Sequence, residues 1–313
     1  MIVLGIDGGG SRTRAVLVNE SGTVLGRGIS GPSNFHAAGL SSASETIRHA
    51  VSQAFESGTI PVQPCAAAFL GMAGVRTDSE RALIHDMAVK LQLAPAEKIQ
   101  IDHDIRIAHA AGLSGREGIA LIAGTGSACY GRCEDGRHWQ AGGWGRILDD
   151  PGSGHDISRR ALSAVVRAED GRGDATLLAV ILLDALKLTE ARAIVHRLHG
   201  SGPFRDNPLS GSELAALAPL VLKAAEDDDS TAVEIVGDGI AELVLMVQTV
   251  NAKLLFSAPR VALSGGLMNA AYFKKKLSAA IVRRVCGSQI VETNVEPVFG
   301  AAILALKSLG CAT

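Results

Sequence analysis

No excess of either charge marks this sequence: 30 Lys and Arg stand against 32 Asp and Glu, a formal net charge of -2. That near-balance gives no reason to expect nucleic acid or an anionic membrane as partner. Long apolar runs are also missing. None reaches the roughly 18 residues that a spanning helix needs, so no membrane partner is expected. The N-terminus has a strand pattern, with neither the basic n-region nor the cleavage site of a secretory signal. The five cysteines (Cys65, Cys129, Cys133, Cys286, Cys311) are scattered and odd in number, which argues against a disulfide framework and for reduced thiols in a cytoplasmic protein. Cys129 and Cys133 have no second Cys/His pair at zinc-ligand spacing. No low-complexity linker interrupts the chain.

What is present suffices for a large core: 313 residues, 47% hydrophobic and 20% charged, enough for two domains. Directly behind the apolar strand Val3-Leu4-Gly5-Ile6 comes Asp7-Gly8-Gly9-Gly10-Ser11-Arg12-Thr13-Arg14. Three glycines let the backbone turn tightly enough to aim its N–H groups at phosphate oxygens. Ser11 and Thr13 offer hydroxyls, and Arg12 or Arg14 a cation. Asp7 beside such a cradle suggests Mg²⁺, which prefers carboxylate, water and substrate phosphate. The segment is neither a Walker A loop nor a dinucleotide fingerprint, because Arg14-Ala15-Val16-Leu17-Val18 continues as a strand.

The N-terminal region reads β-β-β-α-β-α-β-α, with strands near 2–7, 13–19 and 23–30, a helix over 41–57, a strand at 66–74 that ends in small residues, a helix near 78–93, a strand at 99–101 and a helix opening at Asp104. A second unit begins with Ile119-Ala120-Leu121-Ile122-Ala123, turns at Gly124-Thr125-Gly126-Ser127 and continues as a strand. Strand, glycine/hydroxyl turn, strand thus occurs once in each half, which suggests one nucleotide clamped between two similar domains, with a compact hinge near 105–115. The clearest later helix covers 230–254, with Val233, Val236, Ile240, Leu243, Val247 and Leu254 on one face. Asp227-Asp228-Asp229-Ser230 ahead of it reads as a solvated loop and N-cap.

Further candidates follow from position. Ser264-Gly265-Gly266-Leu267-Met268-Asn269 lies behind the strand Arg260-Val261-Ala262-Leu263; its glycines suit the close approach of a flat ring, and Asn269 suits a helix cap. In Asp102-His103-Asp104, a carboxylate at a strand end is placed to accept the proton of an attacking hydroxyl; spacing alone does not choose among the three residues, and Asp104 also suits a helix N-cap. Gly31-Pro32-Ser33-Asn34-Phe35-His36 is a polar, tightly turning loop whose Asn34 suits either sugar hydroxyls or the turn itself. Gly142-Gly143-Trp144-Gly145, running on to Asp149 and Asp150, holds one of only two Trp, and a Trp among glycines favours a shaped site.

Taken together, Asp7 to Ser11, Gly31 to Asn34, Gly71-Met72-Ala73-Gly74, His103-Asp104, Ala123 to Ser127, Gly142 to Gly145, Asp150 with Gly152-Ser153, and Ser264 to Gly266 resemble the N-acetylglucosamine kinase branch of the BadF/BadG/BcrA/BcrD ATPase family, within the actin/hexokinase superfamily. The resemblance spans nearly the full length. It implies an α/β chain of two ribonuclease-H-like (actin-like ATPase) domains with an interdomain cleft: 1–110, completed by a C-terminal helix at 297–310, and 111–296 with helical insertions. It implies ATP-dependent transfer of the γ-phosphoryl group to the 6-hydroxyl of an amino sugar, N-acetylglucosamine first, in a cytoplasmic homodimer. By position, Asp104 matches the family's catalytic base and Asp7 the carboxylate at the Mg²⁺–phosphate centre. Gly8, Gly9, Gly10, Ser11 and Arg12, with Gly124, Thr125, Gly126 and Ser127, match the phosphate loops, and Gly265, Gly266 and Asn269 the adenosine region. Asn34, Gly74, Asp104, Gly143, Trp144 and Asp150 match the sugar site. The chain departs from the pattern at Pro151, where an acidic residue is usual, and at Gly154-His155-Asp156, where aromatics are usual. Two other activities fit members of the wider family: an ATPase that activates a dehydratase or reductase through an iron–sulfur cluster, and a broad-specificity hexokinase or glucosamine kinase.

Overall fold

The computed structural model describes residues 1–205, 207–292 and 295–311. In chain order it forms β1 (Ile2–Gly8), β2 (Thr13–Asn19), β3 (Val24–Ser30), α1 (Phe35–Ala38), α2 (Leu40–Ser57), β4 (Ala67–Met72), α3 (Asp78–Lys90), β5 (Ile99–His103) and α4 (Asp104–Gly112). Then come β6 (Gly118–Ala123), β7 (Ser127–Arg132), β8 (His138–Gly142), α5 (Gly154–Glu169), α6 (Leu178–Ala185), α7 (Ala193–His199), α8 (Gly211–Ala215), α9 (Ala218–Glu226) and α10 (Ser230–Leu254). The chain ends with β9 (Arg260–Ser264), α11 (Ala271–Arg284), β10 (Gln289–Val291) and α12 (Pro297–Ser308).

These elements form two compact units, Met1–Ala120 with Val291–Thr313, and Leu121–Ile290. Each is built on a five-stranded sheet, in the orders β3-β2-β1-β4-β5 and β10-β9-β6-β7-β8. Read from its first strand outwards, the second order repeats the first, so the repeated strand–turn–strand pattern of the sequence reflects a repeated ribonuclease-H-like sheet. The junction falls at 120/121, ahead of which the expected hinge region is solid structure. Residues 105–113 are almost all buried in α4 and its C-terminal turn, and Lys307 Nζ reaches the Gly115 carbonyl at 2.6 Å.

In the first unit β1 pairs antiparallel with β2 and parallel with β4, which pairs parallel with β5. Side-chain alternation sorts the strands onto two cores. Leu4, Ile6 and Leu17 share one with Ile47 and Phe55 of α2 and Ile84 of α3. Val3, Val16 and Phe69 share the other with Ile107 of α4 and Ala301 and Ala302 of α12. Helices α4 and α12 cross in close contact because residue 300 has no side chain. A Cβ there would lie 2.6 Å from the Ala111 nitrogen and closer still to the Ile107 carbonyl oxygen. Gly300→Ala must therefore push the two helix backbones apart, and we expect it to destabilise the chain by about 3 kcal/mol, read as a lowered denaturant midpoint. An unchanged midpoint would show that this crossing does not set the packing.

The second unit adds one strand to the sequence reading and departs from it in two places, at Val233 and at Asp229. Residues 138–142 form β8, paired antiparallel with β7, although its burial is too slight to leave an apolar alternation. Helix α10 has the expected extent, and Val236, Ile240, Leu243, Val247 and Leu254 are buried as expected; only Val233, at 36% exposed, is not, and Ala232, Ile235, Val244 and Val250 widen the buried face. Its N-cap is Asp229, within the 227–230 segment expected to cap it. The Asp229 side chain is buried, accepting from the Ala232 and Leu177 N–H groups and from Thr176 Oγ1 at 2.8–3.0 Å. It is a bridge, not a solvated loop. Among the described residues no helix is long and apolar enough to cross a membrane.

Candidate active site

In the first unit the candidate residues collect where β1, β4 and β5 end. The turn Gly8–Arg12 is closed by the Gly9 N–H on the Arg12 carbonyl (3.0 Å) and buttressed by Ser33 N–H on Gly9 O (3.1 Å) and Ala73 N–H on Gly8 O (2.8 Å). Gly10, Ser11 and Arg12 stand exposed at its tip, and a Cβ at Gly10 would meet nothing within 4 Å. The tip backbone is thus open to a ligand, as a phosphate cradle requires. Thr13 differs from expectation: it is fully buried, its hydroxyl held by Gly31 O at 2.9 Å and Ser33 Oγ at 2.8 Å. That hydroxyl fastens the 31–33 loop to the hairpin and is not presented to a ligand.

Asp7 ends β1 on the face that carries α4 and α12. Its cross-strand neighbour Arg14 places Nη1 3.4 Å from Asp7 Oδ2, and Arg14 Nε lies 3.9 Å from Glu296 Oε2 at the N-cap of α12. Burial, opposed by Arg14 but reinforced by the charges of Asp104 and Glu296, pushes the Asp7 carboxyl up to about 6. A carboxyl that resists ionisation despite an arginine would gain from a further cation beside it. Among the described residues no three His, Cys, Asp or Glu side chains are grouped to enclose a metal ion. A divalent ion here fits the Mg²⁺ pattern of one or two carboxylates with water and substrate phosphate.

The three candidates at 102–104 separate by what each one touches. Asp102 lies at the end of β5, clamped by Arg81 Nη2 and Arg106 Nη1, each at 3.2 Å, and by the His103 N–H at 2.9 Å. Burial opposes its ionisation, but His103, that N–H and the two arginines together hold its carboxyl below the usual range. His103, not Asp104, caps α4: its Nδ1 accepts the Arg106 N–H at 3.2 Å. Asp104, the first residue of α4, is the exposed one of the three. Although it is open to solvent on one side, protein crowded around its other sides raises its carboxyl pKa, against the pull of His103 and the neighbouring N–H groups. A solvent-reachable carboxyl with raised basicity suits proton abstraction.

Asn34 and Gly74 meet although 40 residues separate them in sequence: a Cβ on Gly74 would lie 3.0 Å from Asn34 Oδ1. Asn34 caps α1, its Oδ1 accepting the His36 N–H at 3.1 Å, so its amide NH₂ is the end available to a ligand.

The second unit has its own cluster. Gly124 N–H closes the 124–127 turn on the Gly126 carbonyl at 2.9 Å. Gly265, at φ +100°, lies against Ala123, and Gly266 N is 3.5 Å from where a Gly124 Cβ would stand. Asp150 is buried at φ +62°, its Oδ2 2.8 Å from where a Cβ of Gly126 would be. The N-terminus of α5 ties this carboxylate segment to the turn, through Gly154 N–H on Gly124 O (2.7 Å) and His155 N–H on Thr125 O (3.3 Å). Thr125 is exposed, whereas Ser127 turns inward, its hydroxyl donating to Pro151 O at 2.7 Å. Gly143 packs near Ala128 and Gln140. Trp144 is 66% exposed beside Ile147 and Leu148, at 89% and 82%. Within its own unit it is a surface residue. Asn269 ends a short 3₁₀ turn and is exposed; Ala270, not Asn269, precedes α11, without a side-chain cap.

These two clusters fall on nearly all the segments that carry the family resemblance, and comparison with known proteins agrees. The profile of the BadF/BadG/BcrA/BcrD ATPase family matches residues 4–305. The chain belongs to that family. Among family relatives, it is 31% identical over 97% of both chains to an N-acetylmuramic acid/N-acetylglucosamine kinase of Clostridium acetobutylicum. It is 30% identical over 98% of both chains to an N-acetyl-D-glucosamine kinase of Dictyostelium discoideum. A solved structure of a candidate N-acetylglucosamine kinase from Chromobacterium violaceum superposes with a TM-score of 0.76 at 26% identity, covering 97% of this chain and 98% of that one. A Streptomyces griseus glucokinase solved with glucose and a nucleotide analogue shares the fold at a TM-score of 0.57 and 18% identity, over 98% and 99% of the two chains.

What sequence reasoning missed is His36. Its Nε2 lies 3.1 Å from Gly74 O and 2.9 Å from Glu80 Oε1. The only sequence signal is its place two residues after Asn34.

Proposed function

We propose that this chain is an ATP-dependent amino-sugar kinase that phosphorylates the 6-hydroxyl of N-acetylglucosamine. The observation that carries the reading is the exposed, basicity-raised carboxyl of Asp104 at the same sheet end as the open glycine turn and the Asn34–Gly74 pair. The full-length likeness to amino-sugar kinases of two distant organisms supports the choice of substrate.

On this reading, Asp104 accepts the proton of the sugar hydroxyl as its oxygen attacks the terminal phosphorus and the bond to the ADP oxygen breaks. Gly8, Gly9, Gly10, Ser11 and Arg12, together with Gly124, Thr125, Gly126 and Ser127, form the two phosphate loops, which serve the phosphates through the backbone N–H groups that closing each turn leaves open, and Gly265, Gly266 and Asn269 serve the adenosine. Asn34, Gly74, Gly143, Trp144 and Asp150 hold the sugar. Mg²⁺, held by Asp7 directly or through water, supplies charge neutralisation for the transferring group. Among the described residues none of the five cysteines is in a disulfide, which supports a reducing, cytoplasmic setting; a homodimer is the assembly that the family resemblance implies. An electron-transferring activator would need cysteines that reach a cluster. Cys129 and Cys133 are both buried, and burial holds the Cys129 thiol far above its ordinary pKa.

The test is ADP release measured across a panel of hexoses and amino sugars. N-acetylglucosamine should give the highest kcat/KM and a rate well above that of ATP alone. An ATPase rate indifferent to every sugar would end the kinase reading in favour of an activator.

A further inference from the structure

His36 does more than form part of the short helix α1. Helix α1 and the turn after β4 each carry one of the residues assigned to the sugar, Asn34 and Gly74. The His36 side chain reaches from the first of these segments to the second. Its Nε2 faces two groups that can only accept, the Gly74 carbonyl at 3.1 Å and Glu80 Oε1 at 2.9 Å, so it is the protonated nitrogen. The ring is set by the buried Phe35, with centroids 4.2 Å apart and planes tilted by 34°. Glu80 is itself fixed. Its carboxylate accepts the Arg76 and Thr77 N–H groups at 2.8 Å each and the Thr77 hydroxyl at 2.9 Å, forming the capping box of α3. The carbonyl that His36 holds belongs to a residue at φ +94°, where a side chain would run into Asn34 and His36. Asn34, His36 and Gly74 are thus closely packed at this turn, and His36 bridges its two sides.

We propose that His36 is a positioning residue for the sugar: by bonding Gly74 and Glu80 it fixes the spacing between Gly74 and the Asn34 amide, and so sets affinity for the acceptor without touching the nucleotide. The proposal rests on the kinase reading above. Because a small misplacement of a binding group is costly, loss of the strut should appear in sugar KM first.

The experiment is steady-state kinetics with N-acetylglucosamine and ATP on the wild type, His36→Ala, His36→Phe and His36→Gln. His36→Phe keeps a ring to pack on Phe35 but has no donor, so it guards against a fold defect in the alanine variant. Ala and Phe should each raise sugar KM about tenfold, with ATP KM unchanged and kcat within about twofold. Gln, whose amide still donates, should recover part of the loss. On an Asn34→Ala background the effect of His36→Ala should shrink to below about threefold, because the two side chains act together. Unchanged sugar KM in both Ala and Phe overturns the proposal, as does an equal loss in sugar KM, ATP KM and kcat. A wild type that phosphorylates no sugar ends the kinase reading and this role together, and is told apart from the other outcomes by the wild-type rate itself.

Discussion

Asp104→Asn is expected to lower kcat by at least about 10²-fold, the usual cost of losing a general base, while ATP affinity changes little. The substitution is nearly isosteric, and the residue is the first of α4 rather than its cap, which is His103. Stability should therefore move by no more than about 1 kcal/mol, the worth of a charge near a helix N-terminus. A kinetic defect without a folding defect is the signature to look for. The pH profile offers a check on the two carboxyls together. Burial raises those of both Asp7 and Asp104, and on the proposed reading both act ionised. Activity of the wild type should thus fall with pH above the range in which an ordinary carboxylate titrates, Asp7 alone imposing a fall through about 6. Near-normal turnover of Asp104→Asn would remove the residue from the role.

Asp7→Asn should do two opposite things: abolish most activity and stabilise the ligand-free protein. The Asp7 side chain is 14% exposed, and its carboxyl is raised from 3.8 to about 6 even with Arg14 beside it. The folded chain therefore holds this proton more tightly than the unfolded chain does. The sign follows directly. Below pH 4 or so the group is protonated in both states and imposes no penalty; as pH rises towards 6 the folded state loses relative stability, and above about 6 the penalty is complete. At roughly 1.4 kcal/mol per pKa unit, reduced for the side chain's remaining solvent contact, the uncharged variant should gain about 2 kcal/mol at neutral pH. For a chain of this size that is a rise in Tm of about 3 °C. The gain should disappear below pH 4. A Tm that falls at pH 8 would mean that the Arg14 pair outweighs the burial of the charge. Such a trade is expected where a site is shaped for a cation that the free protein must do without.

The sequence announces the local features and hides the distant ones. Val3 to Arg14 declares a strand, a tight turn and a second strand through composition alone, and the limits of α10 follow from its apolar period and the aspartates before it. Asp104 is visible as one of three polar residues at a strand end, but what each does depends on Arg106 four residues on and on Arg81, which reaches in from α3. Thr13 looks like a ligand hydroxyl because strand alternation does not reveal that Ser33 and Gly31 fold back on it. Asp229 looks solvated because Thr176 and Leu177, its partners, lie more than 50 positions earlier. The same holds for Asn34 and Gly74, and above all for His36, whose partners Gly74 and Glu80 belong to a turn that no period or spacing connects with it. Trp144, whose glycine neighbours suggest a shaped site, is exposed.

The measurement that bears most directly on the account is phosphorus NMR of the purified protein with ATP, Mg²⁺ and N-acetylglucosamine. A sugar 6-phosphate resonance growing in step with ADP, and absent with Asp104→Asn, is the result that a hydroxyl activated by Asp104 requires. Inorganic phosphate as the sole new phosphorus species, or a sugar phosphate formed as fast by the variant, would contradict it.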